Sequence, residues 1–258
     1  MNSVVCISHV PDTEARIKIA EGRKVDETGL KFIVSPYDEY ALESAIRLKE
    51  KSGGDVTVLT FGPERAQQAL REALARGATK AMHVKGESGD ADSLGIAKVL
   101  AAAIKTIPHD VVFFGKQGVG TDNCLVGPMV AEVLGYPQVN VVTHLEVGDG
   151  KLTASREIEG AEEVLEAPLP AIVTAQKGLN EPRYASLKGI MAAKKIAIDT
   201  KSVAELGLDE NDIYKQRVVV VSLELPAEKT GGRKIDGSDP AAAAREILKY
   251  IKEEAKAL

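Results

Sequence analysis

VVFFGKQGVGTDN, residues 111–123, is the stretch that decides the fold, because a run of apolar residues passes directly into a glycine loop. Four consecutive β-branched or aromatic residues predict a strand of the kind buried on both faces of a parallel sheet. Gly115, Gly118 and Gly120 follow, and a helical pattern begins at about Leu125. A strand, a glycine loop and a helix in this order predict a phosphate site at the start of the helix.

Similar apolar runs on either side of this unit alternate with helical patterns. Further strands are predicted at residues 4–7, 56–60, 81–84 and 171–174. Ser35 and Pro36 have the residue types of an N-cap and first helical position, so a helix is expected from there. The alternation predicts an α/β fold with a doubly wound, mainly parallel sheet and ligands at the carboxyl ends of its strands.

The C-terminal half departs from this alternation. Residues 139–166 alternate polar and apolar types around Gly148-Asp149-Gly150 and predict a rim hairpin, whereas residues 179–195 predict a protruding, irregular arm. Residues 218–223 predict another strand, and Asp239-Pro240 begins a C-terminal helix with one apolar stripe. We expect one α/β domain over residues 1–225, and a linker and helix over 226–258. The helix would pack on its own domain or on another subunit.

The composition narrows the function classes. The chain has 258 residues with 33 basic and 38 acidic side chains, and its net charge of −5 argues against a nucleic-acid-binding surface. No apolar run approaches the roughly 20 residues needed to span a bilayer. The N-terminus has no targeting pattern. We therefore expect a cytoplasmic protein that does not insert into membranes.

The sequence offers no recognisable catalytic or metal-binding pattern. Cys6 and Cys124 lie far apart, and the four histidines lack metal-ligand spacing, so neither a disulfide nor a metal site is predicted. The glycine spacing G-x-x-G-x-G differs from that of dinucleotide and P-loop motifs. Cys124 has no evident base in the sequence, which favours a packing role. Ligand binding without catalysis is predicted, and the alternative is a tight turn with no ligand.

Two further segments carry a resemblance to a known family. LNEPRYASLKGIMAAKK, residues 179–195, resembles the recognition arm of electron transfer flavoprotein β subunits. ASREIEGAEEVLEAPLPAIVTA, residues 154–175, resembles their signature at Ala154, Arg156, Glu159, Gly160, Glu163, Leu165, Pro170, Ile172, Val173 and Thr174. The resemblance covers nearly the whole chain, from the opening strand through SPYDEYALESAIRLKE to the C-terminal helix.

The resemblance implies a Rossmann-like fold of the adenine-nucleotide-binding type. It also implies a heterodimer in which the α subunit carries most of an FAD and this chain forms one wall of the flavin cleft. Thr13, Tyr37 and Glu157 would lie near that FAD. The chain itself would bury an AMP without a redox role. The residues implied for AMP are Cys6, Ser35, Pro36, Tyr37, Asp38, Phe61, Gly115, Lys116, Gln117, Gly118, Val119, Gly120, Thr121, Asp122, Asn123, Cys124, Leu125 and Val126.

The resemblance further implies the route of the electrons. Leu187 would anchor an acyl-CoA dehydrogenase, with Arg183, Ile190 and Met191 beside it. Electrons would pass from the dehydrogenase to the shared FAD and then to a membrane quinone oxidoreductase, as in fatty acid β-oxidation. The C-terminal helix would pack on the α subunit. This chain would be a non-catalytic carrier subunit.

Two alternatives remain open at this stage. The segments at residues 10–13 and 126–128 resemble the branch of the family that binds a second FAD in place of AMP and bifurcates electrons from NADH. Residues 35–40 instead resemble the branch that binds AMP, which we favour. The other alternative is a stand-alone nucleotide-binding module of the stress-protein kind, which would leave the exposed arm at Leu187 unexplained.

Overall fold

The computed structural model describes residues 1–148, 150–227 and 231–257. The strands are β1 (Ser3–Cys6), β2 (His9–Pro11), β3 (Ile19–Ala20), β4 (Lys24–Val25), β5 (Phe32–Val34), β6 (Val56–Gly62), β7 (Lys80–Lys85), β8 (Val111–Gly115), β9 (Gln138–Gly148), β10 (Lys151–Ile158), β11 (Ala161–Pro168), β12 (Ala171–Ala175) and β13 (Ile198–Ser202). The helices are α1 (Pro36–Ser52), α2 (Gln67–Arg76), α3 (Ser93–Ile104), α4 (Val126–Leu134), α5 (Leu187–Ala193), α6 (Glu210–Ile213) and α7 (Pro240–Lys249). Short 3₁₀ turns lie at Glu64–Ala66, Ser88–Asp90 and Ala204–Leu206, and a π turn at Tyr250–Glu254 follows α7.

Nine of these strands form one sheet in the order β11-β10-β9-β12-β8-β1-β6-β7-β13. Neighbouring strands from β9 to β13 along this order are parallel, whereas β10 is antiparallel to both β9 and β11. β2 pairs with β5 and β3 with β4 in two small separate ribbons. The predicted α/β class with a doubly wound, mainly parallel sheet is confirmed.

Two apolar cores cover the two faces of the sheet. Val5 and Phe113 point to the face packed by α1, α2 and α5, whereas Val4 and Val112 point to the face packed by α3, α4 and α6. Because successive side chains of a strand alternate between faces, strands that are apolar throughout are needed to fill both cores. This explains why the buried strands are near-continuous runs of Val, Ile, Leu and Phe.

The order in which the chain adds strands to the sheet reverses between β1 and β8, although the two strands are parallel. β1 leads through α1 to β6 on one side of it, and β8 leads through α4 to β9 on the other side, with α1 and α4 on opposite faces. The loops that leave the carboxyl ends of β1 and β8 therefore diverge. Such a switch point leaves a crevice, which is where ligands bind in open α/β sheets.

The rim differs from the predicted hairpin by one strand. β9 and β10 form the hairpin, with Asp149 of its turn outside the described residues, and β11 adds a third antiparallel strand along Ala161–Pro168. The alternation of polar and apolar residues in β11 is hard to recognise in the sequence, because its acidic side chains lie on the exposed edge of the sheet. The far edge carries β13, which the sequence pattern did not predict because only Ile198 in it is strongly apolar.

The strand predicted at residues 218–223 is wrong. This stretch has no strand assignment, and Val218 and Val221 are 75% and 80% exposed. Its β-branched residues favour an extended backbone. However, the nine-stranded sheet ends at β13 and β11, so this stretch lies outside it. Part of the predicted linker, residues 228–230, falls outside the described residues.

The C-terminal helix begins as predicted. The carboxylate of Asp239 accepts hydrogen bonds from the N–H groups of Ala241 and Ala242, and Pro240 occupies the first turn. The described residues leave its apolar stripe partly uncovered, since Ile247 is 46% exposed and Leu248 55% exposed. None of the helices within the described ranges combines the length and the apolar character that crossing a membrane requires.

Candidate functional site

A cleft of about 270 Å³ opens at the switch point between β1 and β8. This volume is slightly below the range of about 300–1,000 Å³ typical of small-molecule pockets. The cleft is lined by Cys6, Ile7, Ser8, His9, Val10, Asp38, Phe61, Ser88, Gly89, Ile96, Leu100, Phe114, Gly115, Lys116, Gln117, Gly118, Val119, Thr121, Asn123, Cys124, Leu125, Val126 and Gly127. These residues come from five separate parts of the chain, which the parallel strands bring to one edge.

Asp38 holds the back of the cleft together. Its carboxylate accepts hydrogen bonds from Ser8 N–H at 2.8 Å, from the Ser8 hydroxyl at 2.7 Å and from Gly115 N–H at 3.0 Å. These contacts join the loop after β1, the first turn of α1 and the end of β8. Ser35, in contrast, does not form the predicted side-chain cap: its hydroxyl is buried without a hydrogen-bond partner in the described chain.

Gly115 is required by this close approach. A Cβ at this position would lie 2.5 Å from Asp38 Oδ1 and 2.7 Å from the backbone carbonyl carbon of Tyr37. No side chain fits between β8 and the start of α1. The glycine is therefore explained by packing of α1 against the strand end, in addition to any contact with a ligand.

In the rest of the glycine loop, side chains form hydrogen bonds with one another. Gln117 donates a hydrogen bond to the carboxylate of Asp122 at 2.5 Å and accepts one from the thiol of Cys124 at 3.3 Å. Gly120, Asp122 and Cys124 have positive φ angles of 103°, 46° and 54°. Residues with positive φ make the backbone turn sharply, and such turns direct successive backbone N–H groups to one side.

Several of these N–H groups lack an acceptor. Those of Val126 and Gly127, which begin α4, donate to no group in the described residues. The same holds in the described chain for the loop N–H groups of Gln117, Gly118, Val119 and Gly120. Unpaired N–H groups and the positive end of the helix dipole together form a site for an anion such as a phosphate.

The ionisable groups at the back of the cleft are shifted by burial. Burial raises the pKa of Asp38 to about 6, even though the hydrogen bonds from Ser8 and Gly115 lower it. Burial, followed by the charge of Asp38, raises the pKa of the Cys6 thiol well above its usual value. Cys6 is therefore a neutral packing residue of the wall and not a nucleophile.

Ser8 and His9 were not predicted as site residues. Both ring nitrogens of His9 are shielded from solvent and have no hydrogen-bond partner within the described ranges. Burial, and next the charge of Arg65, lowers the pKa of His9, so the neutral imidazole is favoured. The position of Ser8 and His9 directly after β1 was the available signal, because β1 and β8 end at the same edge.

Most of the residues implied for AMP line this cleft, but five do not. Tyr37 stands beside it, half-buried, with its ring 4.9 Å from Lys116 Nζ in a cation–π contact. The other four, Ser35, Pro36, Gly120 and Asp122, belong to the same two loops without lining the cavity. Thr13 and Glu157, implied near the flavin, are both exposed on this chain.

The arm predicted at residues 179–195 is a second candidate site. It crosses from β12 to β13 and carries α5, whose Leu187 and Met191 are 84% and 60% exposed, with Ile190 beside them. Lys188, Lys194 and Lys195 surround this tip and are exposed. Exposed apolar side chains ringed by basic ones are typical of a docking surface. The guanidinium of Arg183, which was also predicted to face the partner, is bound by two carboxylates of the chain.

No cluster of three or more His, Cys, Asp or Glu side chains with the geometry of a metal site occurs among the described residues. The candidate sites are therefore the nucleotide-sized cleft and the arm.

Comparison with known proteins agrees with this geometry. The model of the electron transfer flavoprotein domain matches residues 23–206. The chain is 38% identical over 260 residues to the electron transfer flavoprotein subunit beta of Bacillus subtilis, with 100% of both chains covered. It is 40% identical to the subunit beta of Thermoanaerobacterium thermosaccharolyticum, with 92% of this chain and 93% of the relative covered. It is 35% identical to that of Mus musculus, with 94% of this chain and 96% of the relative covered. The chain belongs to the electron transfer flavoprotein family, as a member of its β-subunit group.

Proposed function

We propose that this chain is the β subunit of a heterodimeric electron carrier that passes electrons from acyl-CoA dehydrogenases, through an FAD shared with an α subunit, to a quinone oxidoreductase. The FAD supplies the redox chemistry when bound. This chain contributes a wall of the flavin cleft, a bound AMP and the docking arm. A non-catalytic, cytoplasmic role in fatty acid oxidation belongs to the same proposal.

The observation that carries the proposal is the combination of the cleft and the arm on one chain. The cleft offers unpaired N–H groups at Val126 and Gly127 for a phosphate, with the apolar walls of Phe61 and Leu100 for a base. The arm, on a separate part of the surface, exposes Leu187 to a partner. A nucleotide module of the stress-protein kind needs the first feature and not the second.

The accessible surface supports an α-subunit partner. The chain exposes 14987 Å² at a mass of 27.4 kDa, whereas a compact monomer of that mass exposes about 11,000 Å². The uncovered stretch at residues 218–225 and the apolar stripe of α7 contribute to this excess. We infer that residues 218–227 and 231–257 pack on the α subunit, with Thr13, Tyr37 and Glu157 near the shared FAD.

AMP is favoured over a second FAD in the cleft. The cavity of about 270 Å³ lies at the low end of the size of small-molecule sites, which favours the smaller nucleotide. The residues that would hold AMP are those of the glycine loop and the start of α4, with Asp38 shaping the back wall. The bifurcating alternative requires room for a whole second FAD in the same cleft.

The nucleotides released from the purified heterodimer test the proposal. We expect denaturation of the complex, co-expressed with its α subunit, to release one FAD and one AMP per dimer. Two FAD per dimer, with rapid flavin reduction by NADH, would establish the bifurcating alternative. A stable homodimer that carries no flavin would instead support the stand-alone module.

A further inference from the structure

The base of the docking arm, residues 179–183, rests on a polar stripe of α1. The side-chain amide of Asn180 donates hydrogen bonds to the carbonyl of Tyr40 at 2.9 Å and to the hydroxyl of Ser44 at 2.8 Å. One turn further along α1, the guanidinium of Arg47 donates to the carbonyl of Glu181 at 3.1 Å. Residues three and four apart share one helix face, so this stripe is a continuous platform.

Glu43 is the centre of that platform. Its side chain is only 3% exposed, and its carboxylate accepts hydrogen bonds from Arg183 Nε at 2.9 Å, from Arg183 Nη2 at 3.1 Å and from Arg47 Nε at 2.6 Å. Burial raises the pKa of Glu43, but the hydrogen bonds from Arg183 and Arg47 outweigh burial and hold the pKa below its usual value. Glu43 is therefore a buried, ionised carboxylate that depends on its two arginine partners.

The guanidinium of Arg183 donates four hydrogen bonds within this chain. In addition to the two bonds to Glu43, its Nη1 and Nη2 donate to the carboxylate of Glu50 at 2.5 and 2.9 Å. Glu50 and then Glu43 raise the pKa of Arg183, so it stays charged. A planar guanidinium that bridges two carboxylates has a fixed orientation. Lys at this position could not form the same fork.

The other end of the arm is fixed to α2. Arg71 Nη1 donates hydrogen bonds to the carbonyls of Ala193, the last residue of α5, at 2.6 Å and of Ile196, just beyond α5, at 2.5 Å. Gly189 in α5 lies so close to α2 that a Cβ there would sit 2.1 Å from the carbonyl oxygen of Ala75. Only the apolar tip between these two attachments projects from the surface.

We propose that Arg183 and Glu43 form a positioning latch that sets the direction of the docking arm, and that Arg183 acts on the partner only through Leu187. This inference rests on the proposed function, because the arm is taken to dock a dehydrogenase. Preorganisation lowers the cost of ordering an interface loop on binding. Loss of the latch therefore weakens docking while electron transfer in the docked complex is unchanged.

The latch is tested on the heterodimer with the variants Arg183→Met, Glu43→Gln and the double variant. Two measurements are made on each: hydrogen exchange of the arm N–H groups, and electron transfer from a reduced acyl-CoA dehydrogenase. Lys98→Met, which removes the Lys98–Asp212 pair between α3 and α6 on the opposite face of the sheet from the arm, is the control. Arg183→Lys is included as a milder variant that keeps the charge.

We expect arm exchange about tenfold faster and a KM for the dehydrogenase about tenfold higher, with kcat, flavin content and nucleotide content unchanged. The double variant should be no worse than either single variant, because the pair acts as a unit. A raised KM with unchanged arm exchange would overturn the latch, since Arg183 would then contact the partner itself. So would additive effects, or no effect of Arg183→Met on arm exchange. Faster exchange with an unchanged KM would support the latch and contradict the proposed docking role.

Discussion

Gly115→Ala is the substitution for which the structure gives the sharpest prediction. The added methyl group would lie 2.5 Å from Asp38 Oδ1 and 2.7 Å from the Asp38 backbone nitrogen. Asp38 cannot retreat, because its carboxylate is tied to Ser8. Gly118→Ala in the same loop is the matched control, since its nearest neighbours would be Thr121 Oγ1 at 3.6 Å and Ser8 Oγ at 3.8 Å.

The expected cost follows from two contributions. Forcing a methyl group into a packed region costs about 1–3 kcal/mol. Moving Asp38 away also weakens its charge-assisted hydrogen bond from Gly115, which contributes about 1.5–3 kcal/mol. We therefore expect Gly115→Ala to lower the free energy of unfolding by roughly 3 kcal/mol. Gly118→Ala should stay within about 1 kcal/mol of the parent, because the Cβ fits and the unfolded chain loses entropy.

Thermal unfolding of the heterodimer at one fixed concentration measures this difference. For a domain of this size, roughly 3 kcal/mol corresponds to a decrease in Tm of about 6–12 °C. Nucleotide content, determined in parallel, should fall in Gly115→Ala because α1 and β8 separate at the back of the cleft. Equal Tm values for the two variants would refute the argument that Gly115 is fixed by the approach of α1.

Three other changes address the cleft, the arm and the C-terminal helix. Burial raises the pKa of Asp38 to about 6. The folded state therefore keeps a proton on Asp38 that the unfolded state loses near pH 4. Asp38 consequently destabilises the fold increasingly as the pH rises from 4 to 6. The stability of the parent relative to Asp38→Asn should therefore increase by about 2 kcal/mol between pH 7 and pH 4.5 in chemical unfolding, and a constant difference would contradict the shifted pKa. Leu187→Ala removes an exposed anchor and should raise the KM for the dehydrogenase about tenfold with flavin content intact, whereas lost flavin would make the arm structural. Leu248→Asp should prevent co-purification of the α subunit, whereas Lys249→Asp on the neighbouring face of α7 should not. Equal yields of heterodimer for the two variants would exclude the apolar stripe from the interface.

The parallel core was readable from the sequence because it obeys simple rules. Residues 111–114 and 171–173 are apolar without interruption, as expected of a strand buried on both faces. The edges were less readable. In β13 one face is solvated and the pairing to β7 is by backbone, so its side chains carry little pattern. Residues 218–223 show the opposite case, since strand-forming residues do not make a strand without an adjacent edge.

The candidate site was predictable where it depends on one loop and not where it depends on pairs of loops. The glycine loop and the start of α4 are local, so their spacing indicated a phosphate site directly. The hydrogen bonds of Asp38 join residues 30 and 77 positions away, and those of Arg183 to Glu43 span 140 positions. No local pattern contains such pairs. The ion pairs of Arg183 within the chain were consequently not predicted.

The path of the arm has a consequence for how partner choice can change. The arm leaves the middle of the sheet at β12 and re-enters at its far edge as β13, so both of its ends are strands of the same sheet. The arm is therefore a segment held at both ends, which can be exchanged as a unit, and not a free terminal tail. We expect residues 184–195 to be replaceable by the corresponding segment of a relative while the latch, the sheet and the nucleotide cleft remain as they are. Under the proposed docking role, such an exchange would change which dehydrogenase is recognised without altering the nucleotide cleft.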